Sequence, residues 1–321
     1  LYFSPRIKAS FSASETGILL YQTEFTSHTR MTIIDRTGRE VQSYFDRTLV
    51  GGAKLSRDGK ITAYGQDESR KGTPDIWLYD IGRSISTRFT FDSGTEMNPV
   101  WSPDGMSIVY SWVRGAFADL YIKNANGTDT AQVLYSSNFG KTASDWTSDG
   151  RFIAFSAVVA AKTKVDLFVL PLFGDRTPIE FLKTEFNEGG GKFSPDGRWI
   201  AYFSDASGRT EVYIRPFPTS GAQRQISRSG AALGGCYWRR DGKEICYVAA
   251  NRKVVSVGIS AKGNMLEIGN EQELFDLDAR GPAGLHDMTG DAKSFLVTVA
   301  PAARVQPITM VTNWDAEVKK K

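Results

Sequence analysis

Phe193-Ser194-Pro195-Asp196-Gly197, followed at once by the apolar run Trp199-Ile200-Ala201-Tyr202, decides the fold. A proline suits the second position of a type I turn and an aspartate the third. A glycine accepts the left-handed conformation that closes a bulged hairpin. A large apolar residue before such a turn and a β run after it are two strands of one hairpin. The same device recurs along the chain as Ser56-Arg57-Asp58-Gly59, Ser102-Pro103-Asp104-Gly105, Thr147-Ser148-Asp149-Gly150 and Arg239-Arg240-Asp241-Gly242. Weaker copies stand at Ser14-Glu15-Thr16-Gly17 and Thr289-Gly290-Asp291-Ala292. From the last residue of each copy to the next, the spacings are 42, 46, 45, 47, 45 and 50 residues, so one structural unit is repeated throughout.

Working outward from the turn, Leu55, Trp101, Trp146, Phe193, Trp238 and Met288 precede it. A second signature follows 14 to 16 residues after the turn glycine: an acid, then aliphatic, aromatic and aliphatic residues. It reads Asp75-Ile76-Trp77-Leu78, Asp119-Leu120-Tyr121-Ile122, Asp166-Leu167-Phe168-Val169 and Glu211-Val212-Tyr213-Ile214, with thinner copies at Met31–Ile34 and Val254–Val257. A further turn leads to a fourth strand, as at Thr87–Thr90. Four antiparallel strands per ~45 residues make a propeller blade. Seven turn copies predict an all-β propeller of seven four-stranded blades, with six blades plus an irregular extension as the alternative. The last unit carries three strands, around His286, around Leu296 and at Pro307–Val311, and the chain's opening Leu1–Ser4 is expected to supply its fourth. No linker interrupts the pattern, so residues 1–321 are read as a single domain.

The bulk composition agrees. Thirty-one glycines and nineteen phenylalanines suit many short strands and tight turns, and helical periodicity is nearly absent. The net charge of +3 is scattered except for Lys319-Lys320-Lys321, read as a solvated tail rather than a nucleic-acid patch. No apolar run approaches the ~18 residues of a membrane span. Membrane attachment is therefore expected only through a tether outside this sequence.

The Phe/Trp-Ser-Pro-Asp-Gly turn, the Ile-Ala-Tyr-Phe-Ser run after it and the Asp-Ile-Trp signature together resemble the WD40-like repeat of TolB-type propellers. That resemblance spans essentially the whole chain and concerns the framework. The ends narrow it. Phe11–Tyr21, Ile34–Glu40 and Pro307–Trp314 are similar to the domain that follows a membrane span in bacterial, notably acidobacterial, eukaryotic-like serine/threonine kinases. This implies an extracytoplasmic, periplasm-facing sensor or scaffold whose kinase domain lies elsewhere. A TolB-like protein-interaction scaffold is the alternative reading, and a propeller enzyme with an unrecognised carboxylate site a third.

Residue chemistry points away from catalysis. No Gly-x-Ser-x-Gly elbow occurs, and with His28 and His286 alone the chain holds no histidine-rich metal centre. No cofactor is expected, and the expected partner is a protein or small molecule at the channel mouth. Immediately before the large apolar residue of the first strand stand Lys54, Asp145, Lys192 and Asp287, with Ser12, Val100 and Tyr237 at the same position in other units. Charges in otherwise buried strands are costly unless paired or wet. Two readings follow: a mixed-charge ring in the channel wall, with His286 beside it, or exposed strand ends with local ion pairs. Trp112 lies off the repeat pattern and is a candidate exposed binding residue. Cys236 and Cys246 flank the sixth turn; a cross-strand disulfide and two buried thiols are both open.

Overall fold

The computed structural model describes residues 11–14, 18–21, 29–47, 49–67, 73–159, 164–218, 221–262, 265–281, 283–300 and 309–312. Among these, every regular element is a β-strand, and the strands form six four-stranded antiparallel sheets and one three-stranded sheet. Blades I to V are consecutive in sequence: residues 49–88, 95–135, 141–182, 188–225 and 231–276. Blade VI joins Ala283–Met288 and Ser294–Val299 to Thr29–Asp35 and Glu40–Arg47. The innermost strands are Leu49–Leu55, Thr95–Trp101, Lys141–Trp146, Glu188–Phe193, Ala231–Trp238 and Ala283–Met288. Each touches the next, and the last returns to the first, so the ring closes at six.

The expected seventh blade is therefore corrected to six, the alternative. Seven turns overcount because one blade is assembled from the two ends of the chain. The outer pair of the first unit completes the inner pair of the last. Its leftover hairpin, Phe11–Ala13 with Ile18–Tyr21, pairs with Thr309–Thr312 in the three-stranded sheet. Leu1–Ser4 lie outside the described residues, and the place expected for them and for Pro307–Val311 is filled by residues 29–47. Closure through Thr29–Asp35 is favoured because both faces of that strand meet apolar neighbours. Met31 and Ile33 pack against blade I, and Ile34 packs with the core shared by blades V and VI.

Among the described residues, the turns are held by the residues that mark them in the sequence. In Ser56–Gly59 the serine hydroxyl donates to Asp58 (2.6 Å), the Lys60 N–H donates to the same carboxylate oxygen (3.1 Å), and Gly59 takes φ +72°. The same bonds recur at Ser102/Asp104, Thr147/Asp149, Ser194/Asp196 and Thr289/Asp291. These bonds hold the Asp58, Asp104 and Asp291 carboxyls below the usual range.

The core is a ring of six apolar clusters, one at each blade–blade junction. Side chains alternate across a strand, so the second strand of each blade feeds two clusters. Val109 faces blade III while Ile108 and Tyr110 face blade I. Burial on both faces is why these strands read as unbroken apolar runs.

Candidate functional site

The position that carries Lys54, Asp145, Lys192 and Asp287 becomes one belt around the channel. In ring order it reads Lys54, Val100, Asp145, Lys192, Tyr237, Asp287. Three blades give lysine, an uncharged residue and aspartate, and the other three give the same series again. The bonds repeat with it. Asp287 accepts the Leu55 N–H (2.9 Å) and Asp145 accepts the Phe193 N–H (2.8 Å). Lys54 donates to the His286 carbonyl (3.1 Å), and Lys192 donates to the Ser144 carbonyl. The Trp101 indole N–H donates to the Lys54 carbonyl (3.1 Å) and that of Trp238 to the Lys192 carbonyl (3.2 Å).

Lys54 also pairs with Asp287 at 3.3 Å and lies 4.8 Å above the centre of the Tyr237 ring. Tyr237 in turn donates to the Leu285 carbonyl (3.1 Å). Burial, with the nearby Lys54 charge, pushes the Lys192 ammonium down to about 8. Burial raises the Asp145 carboxyl against the pull of Lys192. The belt is thus cross-strand lacing between blades as well as channel wall.

Above and below the belt the channel opens into two chambers of about 650 and 520 Å³. Lys54, Val100, Ser144, Lys192 and Tyr237 border both. The lower chamber is rimmed by the turns, where Arg57 donates to the Pro103 carbonyl (3.2 Å) and Ser148 to the Pro195 carbonyl (2.6 Å). The upper chamber has the glycines Gly52, Gly189, Gly190 and Gly235 in its wall, with Val165 and Phe203 and the polar groups Asn187, Glu188, Asp205 and His286. All six inner strands carry a register shift just above the belt. That bulge lets neighbouring residues share the channel wall. His286 lines the upper chamber and Asp287 the lower, although consecutive residues of a regular strand face opposite ways.

His286 meets Thr298 Oγ1 at 2.7 Å, and burial pushes its pKa down to about 4, so the ring is neutral at physiological pH. Trp112 is corrected: it is 6% exposed, packed at 4.5 Å on Tyr121 in the core between blades I and II, away from both chambers. Its burial follows from its place in the second strand of blade II, opposite Asp119, so that it packs in the core although it lies off the repeat pattern. The cysteines are two buried thiols. Cys236 stands opposite Tyr247 and Cys246 opposite Tyr237, one residue out of register. The thiols face opposite sides of the sheet, in different clusters, and burial pushes both up to about 12. Among the described residues no group of three or more His, Cys, Asp or Glu is arranged to hold a metal ion.

Reasoning from sequence passed over Glu188. It opens the inner strand of blade IV, at the place held by Glu96 in blade II and Lys141 in blade III. Each stands across a blade junction from the acid of the preceding third strand. Lys141 pairs with Asp119 at 2.7 Å. Glu96 lies against Asp75, and burial with that charge raises its carboxyl to about 8. Glu188 lies near Asp166 and is raised by burial and by that charge. The signal was present: charged residues recur at one repeat position.

Comparison with known proteins bears out the framework. A TolB-type protein of Agrobacterium tumefaciens superposes with a TM-score of 0.68 at 16% identity, over 86% of this chain and 99% of that one. TolB of Acinetobacter baumannii gives 0.57 at 13%, over 94% and 80%. The fold is that of a TolB-type propeller. A prolyl endopeptidase gives 0.51 at 12%, over 83% of this chain and 49% of that one. In sequence, the uncharacterized peptidase YuxL of Bacillus subtilis is 28% identical over 114 residues, 34% of this chain and 17% of that protein. The chain thus spans less than a fifth of that relative's length. No family model matches the chain.

Proposed function

We propose that this chain is a non-catalytic binding propeller whose upper chamber receives part of a protein or a small ligand. The observation that carries this reading is the separation of roles along the channel. Charged belt residues are engaged in blade-to-blade bonds, while the wider chamber above them is open and largely apolar. Apolar concavities with a few convergent polar groups are the usual form of a ligand site. The TolB-type framework supports a protein-interaction scaffold exposed on the extracytoplasmic side. The terminal motifs at Phe11–Tyr21, Ile34–Glu40 and Pro307–Trp314 support the finer reading, the sensor part of a membrane-anchored serine/threonine kinase.

The experiment is a screen of the purified chain against peptide and glycan panels for binding and for turnover. Binding without turnover is expected. Turnover abolished by changing one Asp or Glu overturns the non-catalytic reading.

The YuxL match favours a second reading, in which the propeller is the non-catalytic part of a longer peptidase. Sequence beyond the two ends of this chain separates the two. A kinase domain and membrane span before residue 1 support the sensor, and a hydrolase domain after residue 321 supports the peptidase.

A further inference from the structure

The lower chamber is built in three tiers, each with one residue from every blade. Below the belt comes an apolar tier that includes Trp101, Trp146 and Trp238, and the rim reads Arg57, Pro103, Ser148, Pro195, Arg240, Gly290. These six hold the second position of the Ser-Pro-Asp-Gly turn, where proline fits best, so the turn itself does not demand the two arginines. The charges lining this chamber do not cancel: Lys54, Arg57, Lys192 and Arg240 stand against Asp145 and Asp287. Both acids are taken up within the belt. Asp287 pairs with Lys54 and accepts the Leu55 N–H, and Asp145 accepts the Phe193 N–H under the pull of Lys192.

The excess positive charge therefore sits at the rim. Arg57 and Arg240 are exposed, and among the described residues their side chains bond only backbone carbonyls, those of Pro103 (3.2 Å) and of Arg57. Each guanidinium has five N–H donors, so most remain for a ligand. The nearby turn acids Asp58 and Asp241 are held by their own turns, and neither lines the chamber. Gly290 makes the seat for one guanidinium. A Cβ there would lie 2.6 Å from Arg240 Cζ, so the bare glycine lets Arg240 cross the turn of blade VI to reach the Arg57 carbonyl in blade I. Inward of the arginines, the indole N–H groups of Trp101, Trp146 and Trp238 are spent on the carbonyls of Lys54, Gly150 and Lys192. What the three indoles have left for the chamber wall is carbon.

We infer that the lower chamber is a site for a carboxylate carried on an aromatic or aliphatic body, the carboxylate held at the mouth by Arg57 and Arg240 and the body against the tryptophan tier. A planar carboxylate matches the fork of a guanidinium, which a point charge does not. The belt lies between the two chambers, so this assignment does not depend on what the upper one receives.

The test is titration of the intact chain with 3-phenylpropionate, 3-phenylpropanol and acetate, followed by calorimetry or NMR. Saturable binding of 3-phenylpropionate alone is expected, with affinity falling about tenfold in Arg57→Gln and in Arg240→Gln, the scale of one charge-assisted hydrogen bond. Gly290→Ala keeps both charges and a backbone that alanine accepts, and by displacing the Arg240 guanidinium it should weaken the same probe. N-acetyl-Ala-Phe binding more tightly than 3-phenylpropionate supports the assignment and makes a peptide C-terminus the source; equal or weaker binding supports it with a free organic acid as the source. Equal binding of acid and alcohol overturns the proposal, as does acetate binding as tightly as 3-phenylpropionate. So does unchanged affinity in both arginine variants, or an affinity that responds to Leu233→Lys in the upper chamber and not to the rim variants.

Discussion

At the scale of single residues, the buried acids outside the belt give the sharpest expectations. Glu96 is fully buried, with its carboxyl raised from an ordinary 4.5 to about 8 by burial and by Asp75. Its proton is held in the folded state and released in the unfolded one over that interval. Stability tied to this group is therefore complete below about pH 4.5 and falls as pH rises towards 8, by at most about 1.4 kcal/mol per pH unit. His286 works the opposite way between about 4 and 6.5, so the comparison that isolates Glu96 is a difference between two proteins. Urea unfolding of Glu96→Gln against the parent should show a stability gain that grows from pH 5 to pH 8. A pH-independent difference refutes the assignment. At the belt, Asp287→Ala leaves the Leu55 N–H and the Lys54 ammonium without their shared acceptor, and a loss of about 3 kcal/mol is expected. Asp287→Asn keeps an oxygen for the N–H and should lose clearly less in the same measurement.

At the scale of strands and turns, glycines divide into two kinds. Gly105 takes φ +74° with nothing near the place of a Cβ, so Gly105→Ala carries only a backbone penalty of about 1 kcal/mol. At Gly191 a Cβ would lie 2.8 Å from Leu167 Cδ1, in the packed core between blades III and IV, so Gly191→Ala should cost more than Gly105→Ala. Thermal unfolding of the two variants side by side checks the order. The cysteines belong to this scale as well. Because they face opposite sides of one hairpin, reducing agent should leave the melting temperature of the purified chain unchanged.

For the whole molecule, ring closure is the decisive property. Deleting residues 1–28 removes the hairpin of the three-stranded sheet and leaves every blade complete, so a cooperative thermal transition should remain. Deleting residues 1–47 strips blade VI to two strands and takes Met31, Ile33 and Ile34 out of two cores. That variant should lose cooperative unfolding, as judged by circular dichroism. Equal behaviour of both truncations contradicts the closure described above.

Local chemistry wrote most of this into the chain. The Ser-Pro-Asp-Gly turn, the strand period and the ~45-residue repeat require only neighbours in sequence, so turn, blade and propeller were all legible. The recurrence of Lys54, Asp145, Lys192 and Asp287 at one repeat position was legible too, but whether it made a ring in the channel wall or exposed strand ends was left open by the sequence. Blade number was not legible, since a blade built from residues 29–47 and 283–299 depends on which strands meet when the ring closes. Nor were the opposed thiols of Cys236 and Cys246, which hang on a one-residue register, or the burial of Trp112, which depends on how far its strand extends and on the neighbouring blade that covers it. The setting of Glu188 was hidden for a like reason: Asp166 opens the third strand of blade III and Asp205 follows the second strand of blade IV, and only packing brings their charges to bear on it.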